Sequence, residues 1–241
     1  MFEEIVGFAE SPHADYMRRE WSLFLQNPAR AEASLAATAG RGVRRVLDVG
    51  CGAGQELLPF AKGSALAVGV DIEQEAGHLA RALFQELGLG SPALFVRSTG
   101  EQLPFPDDCF DVVICRIALP YMDTALALRE MVRVLRPGGV LLLKIHHARY
   151  YLRQLIRAVP SANLRSFVHA SRVLVSGVLF HVLGHQIRRK PVGPETFQTL
   201  WLLRRLLPLR MRGHLPDSNP HTPSLLFEKP GPLFDPSGLV T

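Results

Sequence analysis

Val46-Leu47-Asp48-Val49-Gly50-Cys51-Gly52-Ala53-Gly54-Gln55-Glu56 is the stretch whose reading decides the fold. Val46, Leu47 and Val49 make a mostly apolar run, three glycines follow at alternate positions, and Leu57, Leu58, Phe60 and Ala61 then recur with helical spacing. That order predicts a strand, a tight turn and a helix. Gly50, Gly52 and Gly54 lack Cβ, so the backbone can take positive φ and a ligand can approach it closely. The unpaired N–H groups of the following helix's first turn point at the same place, which suits a nucleotide-like ligand.

The spacing of the glycines counts against NAD. The dinucleotide fingerprint G-x-G-x-x-G needs glycine at position 55, where this chain has Gln55, and the third glycine falls one residue early, at Gly54. The stretch closely resembles motif I of the class I S-adenosylmethionine (SAM) dependent methyltransferases. It is most similar to the branch of small-molecule enzymes that includes the ubiquinone and menaquinone methyltransferases.

Later segments extend the resemblance in order. Residues 65–70 read as a second apolar strand ending in Asp71, where an acid can accept hydrogen bonds from ribose hydroxyls or can cap the helix expected over 73–87. That helix carries Ala76, Leu79, Ala80, Leu83, Phe84 and Leu87 on one face. A third strand over 93–96 leads into Ser98-Thr99-Gly100-Glu101-Gln102-Leu103-Pro104-Phe105, which resembles the family's adenine loop D-A-E-x-L-P-F, with Thr99 at the place of the usual aspartate. A fourth strand over 110–115 contains the family's F-D-x-V segment, with Asp111 as a structural partner. Arg116, Tyr121 and Met122 leave its C-terminal end, where ligands of open α/β sheets bind. Residues 128–144, LREMVRVLRPGGVLLLK, supply a helix, a Pro-Gly-Gly stop and a buried fifth strand over 140–145.

The resemblance spans residues 44–144 and implies an α/β fold. This is a Rossmann-like three-layer sandwich with a mostly parallel seven-stranded sheet in the order 3-2-1-4-5-7-6, strand 7 antiparallel, and a helical lid insertion. It implies SAM as cofactor and S-adenosylhomocysteine as product, held by Asp48, Gly50, Cys51, Gly52, Gly54, Gln55, Asp71, Ile72, Thr99, Gly100, Glu101 and Arg116. Within that set the glycines take the methionine part through backbone, Asp71 the ribose, and Thr99 with Gly100 the adenine; Glu101 also has a structural reading.

One domain is expected over 1–241, with a helical arm over 1–40, a lid over 148–190 and a tail over 230–241. Met17, Trp21, Phe24 and Leu25 share one face of the arm's first helix, and Pro28 opens its second. A helix is expected over 194–207, a sixth strand over 209–214 and a closing strand over 224–228. Tyr16, Tyr121 and Tyr150 are candidates for substrate contact. His146 and His147, at the crevice end of the fifth strand, are candidates for a general base toward a hydroxyl or phenol, or else cap the strand.

Composition narrows the function classes. Hydrophobic content of 47% with 20% charged residues is that of a folded globule. Cys51, Cys109 and Cys115 lack C-x-x-C spacing and form neither a disulfide framework nor a zinc site, so no metal is expected and a reducing compartment is. The start Met1-Phe2-Glu3-Glu4 is acidic where a signal peptide is basic, so a cytoplasmic location is expected. The apolar run over 167–183 is interrupted by His169, Arg172, Ser176 and His181, a poor bilayer span.

The net charge of +5 is unevenly spread, with twelve Arg or Lys against the single acid Glu195 over 149–213 and fifteen against twenty-one in the remainder. A basic, one-sidedly apolar insertion suits an apolar substrate with an anionic portion, peripheral contact with an anionic membrane, or simply a solvated face. The expected activity is methyl transfer from SAM to an oxygen, nitrogen or carbon of a small, partly apolar metabolite. An RNA methyltransferase using 149–213 is the competing enzyme. Aromatic residues do not interleave with its arginines as a stacking platform requires, which weighs against nucleic acid. A non-catalytic SAM-binding or membrane-surface module is the third reading, and oligomeric state is left open.

Overall fold

The computed structural model describes residues 12–63, 65–187 and 195–231. Its sheet is built from Arg45–Val49 (β1), Leu66–Asp71 (β2), Ala93–Arg97 (β3), Phe110–Arg116 (β4), Leu135–Lys144 (β5), Arg210–His214 (β6) and Ser224–Glu228 (β7), in the order β3-β2-β1-β4-β5-β7-β6. The first five strands are mutually parallel, and β7 runs antiparallel to both β5 and β6. Around it lie Pro12–Gln26 (α1), Pro28–Thr38 (α2), Leu58–Lys62 (α3), Gln74–Glu86 (α4), Thr124–Val134 (α5), Ala148–Ala158 (α6), Leu164–Leu183 (α7) and Leu200–Leu206 (α8). This is the three-layer arrangement expected from the sequence.

The apolar runs of the central strands follow from being covered on both faces. Alternate residues of each strand enter opposite cores: Val46, Val112, Ile114, Val140 and Leu142 face α1 and α4, while Leu47, Val49, Val113, Leu141 and Leu143 face α5 and α8. The arm belongs to the first core. Met17, Trp21 and Phe24 are buried, and Trp21 meets Phe84 of α4 edge-on at 6.1 Å. Leu25, expected on that face, is instead 51% exposed.

Two boundaries differ from the sequence reading, each because tertiary pairing claims the backbone. Strand β5 begins at Leu135, immediately after α5, and takes Pro137-Gly138-Gly139 into itself as an irregularity. There Gly138 N donates to Lys229 O and Lys229 N donates to Gly139 O, both at 2.9 Å, so β7's continuation holds what the sequence presents as a stop. The expected helix over 194–207 starts only at Leu200, capped by Thr199, whose hydroxyl accepts from Leu202 N. Residues 195–199 are extended: Thr196 N donates to Pro120 O at 3.2 Å and Gln198 N to His146 O at 3.0 Å. The parts of the expected lid, helix and tail at 188–194 and 232–241 lie outside the described residues.

Helices α6 and α7 leave the end of β5 as an antiparallel pair. Tyr151, Val173 and Phe197 bury one another between this pair and the 195–199 segment. Gly177 permits the approach, since a Cβ there would stand 2.2 Å from the Phe197 ring. By length and composition α7 is long and apolar enough to cross a membrane, contrary to the sequence reading. Its Ala170, Val173, Ser176, Gly177 and Phe180 face is buried against protein, while Val168, Val175, Val178 and Val182 are exposed.

Candidate functional site

The glycine turn sits at the C-terminal ends of β1 and β2, held there because Gly50 N and Cys51 N both donate to Val70 O, at 2.8 and 3.0 Å. Its three glycines have positive φ but face different surroundings. A Cβ on Gly50 would stand 2.3 Å from the Ala118 Cβ, and one on Gly54 would stand 2.8 Å from the Phe95 ring, so these two permit internal packing. Gly52, at φ +52, has nothing within 4 Å of that position and presents open backbone. Asp71 closes the turn: Gly52 N donates to its Oδ2 at 2.9 Å and Glu73 N to its Oδ1 at 3.0 Å.

The loop after β3 is tied to the same place. Ser98 N donates to Asp71 O at 3.0 Å and Arg97 Nε to Ile72 O at 3.0 Å, which brings Ile72, Thr99 and Gly100 beside the turn. A Cβ on Gly100 would meet Met122 Sδ at 2.6 Å, so this loop also fits closely under the segment that leaves β4. A cavity of about 350 Å³ adjoins Asp71 and Cys51 and runs under α4 past Gly77 and Phe95; Thr99 and Gly100 do not line it.

Other residues expected at the cofactor are engaged internally. Arg116 is buried between Glu56, at 2.9 Å from its Nε, and Asp217, and Arg30 also reaches Glu56. It braces the underside of the site instead of offering its charge to a ligand. The Glu101 carboxylate accepts from Asp123 N at 2.8 Å and fixes the start of α5. Asp48 is sealed beneath the turn, where burial and then the Glu56 charge push its carboxyl well above the usual carboxylate range. The Cys51 thiol is buried over Gly69 and pushed up in the same way, first by burial and then by Asp48. Gln55 has a buried Oε1 with no hydrogen-bond partner among the described residues.

On the acceptor side the structure separates the two histidines. Neighbours on an extended chain point to opposite sides, and His147 turns away to cap α6, accepting from Arg149 N at 3.3 Å. It does not join the site. His146 is buried and lies flat against Tyr150, ring centroids 4.2 Å apart. Its Nδ1 is 3.1 Å from Tyr151 Oη, and Tyr151 Oη donates to Glu195 Oε1 at 2.9 Å. Tyr151 has one hydroxyl proton and gives it to Glu195, so His146 donates from Nδ1, which leaves the Nε2 lone pair free of that network. Burial, reinforced by Lys144, lowers the imidazole pKa to about 4 and keeps it neutral.

Tyr16, Tyr121 and Tyr150 are brought within electrostatic reach of one another, and Tyr121 also feels Glu195; with Tyr151 these are the chain's four tyrosines. Sequence reasoning missed Tyr151 and Glu195 as site residues. Glu195 had a signal, being the only acid between Glu130 and Asp217. No group of three or more His, Cys, Asp or Glu side chains arranged to hold a metal occurs among the described residues.

A sheet in this order, with an open glycine turn after its first strand and an acid closing its second, is the architecture of the class I SAM-dependent methyltransferase fold. The family model described as "Methyltransferase domain" matches residues 47–143, and that segment belongs to it. Among curated relatives, the "uncharacterized methyltransferase YcgJ" of Bacillus subtilis is 41% identical over 109 residues, 45% of this chain and 43% of that one. The ubiquinone/menaquinone biosynthesis C-methyltransferase UbiE of Proteus mirabilis is 34% identical over 163 residues, 66% of this chain and 64% of its own length. The chain thus spans less than two thirds of either relative. In fold it is similar to magnesium protoporphyrin IX methyltransferase (ChlM) from Synechocystis PCC 6803, solved with bound S-adenosylhomocysteine, at TM-score 0.60, 16% identity, and coverage of 95% of this chain and 92% of that one.

Proposed function

We propose that this protein methylates a hydroxyl of a small, partly apolar metabolite, with SAM held at the glycine turn and the acceptor held at the tyrosine cluster. The observation that carries the reading is the His146–Tyr151–Glu195 chain, which starts where β5 ends, separated by β4 from the strand end that carries the turn. Open backbone at Gly52 and the Asp71 carboxylate beside it fit a sulfonium nucleoside. Gly52 backbone would take the methionine part, Asp71 the ribose, and Thr99 with Gly100 the adenine. When bound, SAM supplies a methyl group already activated for in-line displacement, so the protein's main task is alignment, worth about 7–11 kcal/mol when good.

His146 handles the proton. An imidazole of pKa about 4 does not ionise a hydroxyl in advance. It accepts the proton at Nε2 as the acceptor oxygen gains its new bond to carbon and becomes acidic. Tyr151 fixes the ring through Nδ1, and the Glu195 charge behind it offsets the imidazolium that forms. Tyr16, Tyr121 and Tyr150 supply the apolar walls.

Incubation with methyl-labelled SAM and a cell extract tests this directly. Label is expected in a small molecule, with His146→Ala still binding SAM but slowed by about 10²–10⁴-fold. Label in RNA, or in nothing although SAM binds, would overturn the assignment.

A further inference from the structure

A groove of about 760 Å³ lies between α6, the first turn of α7 and the loop 219–222, and no carboxylate among the described residues lines it. Arg153 and Arg157, one helical turn apart on α6, both line it, and neither forms an ion pair among the described residues. Across from them Asn163 caps α7, accepting from Ser166 N at 3.0 Å, and both residues line the groove, so the positive end of a 20-residue helix faces inward. Asn219 Oδ1 accepts from His221 N and Thr222 N, which sets His221 in the wall with a buried Nδ1 that has no hydrogen-bond partner among the described residues. Tyr150 lines the same groove while stacking on His146, so the groove and the acceptor site share a wall.

Two guanidinium groups without an ion pair among the described residues, a helix N-terminus and an imidazole nitrogen in one groove suit an anion with several acceptor oxygens, which Arg forks bind in bidentate fashion. We propose that this groove binds an oxyanion of the phosphate class borne by the methyl acceptor. Arg153 and Arg157 grip the charged end while the reacting hydroxyl extends past Tyr150 to His146. The second half of this assignment rests on the acceptor site proposed above. A soluble phosphorylated metabolite and a lipid headgroup offer the same chemistry, and the exposed Val168, Val175, Val178 and Val182 of α7 would suit the latter.

The test is titration of the full chain with phenyl phosphate. Saturable binding is expected, weakened about tenfold or more in the R153Q/R157Q double variant, unchanged in the R204Q/R205Q control on α8, with SAM affinity equal in all three. No saturable binding, or equal binding in R153Q/R157Q, overturns the groove assignment. Labelled product should be retained by an anion exchanger, and R153Q/R157Q should raise KM while sparing kcat; a neutral product overturns the acceptor half alone. Loss of SAM binding in the wild type, with phenyl phosphate still bound, would sink the methyl-transfer reading while the oxyanion site stood. Sedimentation with phosphatidylcholine vesicles containing phosphatidic acid, abolished by R153Q/R157Q, supports a lipid-borne headgroup. Phenyl phosphate binding without such sedimentation supports the soluble source.

Discussion

The Asp71 carboxylate accepts the Gly52 amide proton at 2.9 Å, so the acid that ends β2 holds the middle glycine of the turn that follows β1. The group proposed to hold the ribose therefore also shapes the backbone proposed to receive the methionine part. Asp71→Ala should weaken SAM binding about tenfold to a hundredfold, since hydrogen bonds to charged groups contribute about 1.5–3 kcal/mol. Calorimetric titration with SAM checks this, and unaltered affinity would remove Asp71 from the site.

The glycines should divide by role. Gly54→Ala forces a methyl into the Phe95 and Phe84 rings, so the expected effect is a lower Tm, from about 1–3 kcal/mol of overpacking. Gly52→Ala meets open space and adds only the strain of a left-handed residue, about 1–2 kcal/mol, but should block close approach of the cofactor. Thermal melts and SAM titrations on both variants give the comparison, and equal SAM affinity in wild type and Gly52→Ala would contradict it.

His146 makes stability depend on pH in a defined window. Its pKa falls from 6.5 in the unfolded chain to about 4 in the folded one, chiefly through burial. Between those values the unfolded state binds a proton that the folded state does not. The stability held above pH 6.5 is therefore lost as pH drops toward 4, by about 3 kcal/mol in total. Urea unfolding across this window should show a shallower decline in His146→Gln than in the wild type; parallel curves would contradict the buried neutral imidazole.

Tyr151→Phe removes the link between His146 and Glu195 without removing the ring. Both partners are buried, so leaving them unsatisfied should cost about 1–3 kcal/mol of stability. The variant should also lower kcat with SAM affinity unchanged. A kcat equal to wild type would show that the chain orients nothing.

Arg116→Met separates bracing from binding. It takes one cation from each of Glu56 and Asp217, which keep Arg30 and Lys144, so the cost should stay below the about 3–5 kcal/mol of a fully broken buried pair and a fall in the urea midpoint is expected. Under conditions where the variant is folded, SAM affinity should match wild type. A selective loss of SAM binding would return Arg116 to the cofactor site.

Much of the nucleotide side was legible because its signals are local. Three glycines at alternate positions, an apolar strand ending in Asp71 and the loop at Thr99 and Gly100 are read residue by residue, and the fold sets them at neighbouring strand ends. Arg116 and Glu101 show where such reading stops. Both stand at the right points of the motif, yet their charges are claimed by Asp217 and by the Asp123 amide, neither of which leaves a mark at the motif itself. The acceptor side was harder still. His146 and His147 look equivalent in sequence, and only the direction of the backbone after β5 sends one into the site and the other to a helix cap.

By itself the sequence determined the order of strands and helices and the place of the glycine turn, because hydrophobic period and glycine spacing act over a few residues and survive any tertiary context. Tertiary structure alone decided which charges are spent inside, which histidine meets Tyr151, and that Glu195, 44 residues further on, completes the chain. Those contacts form between segments whose separation carries no periodic signal, and they exist only once the extended 195–199 segment has been laid across the ends of β4 and β5.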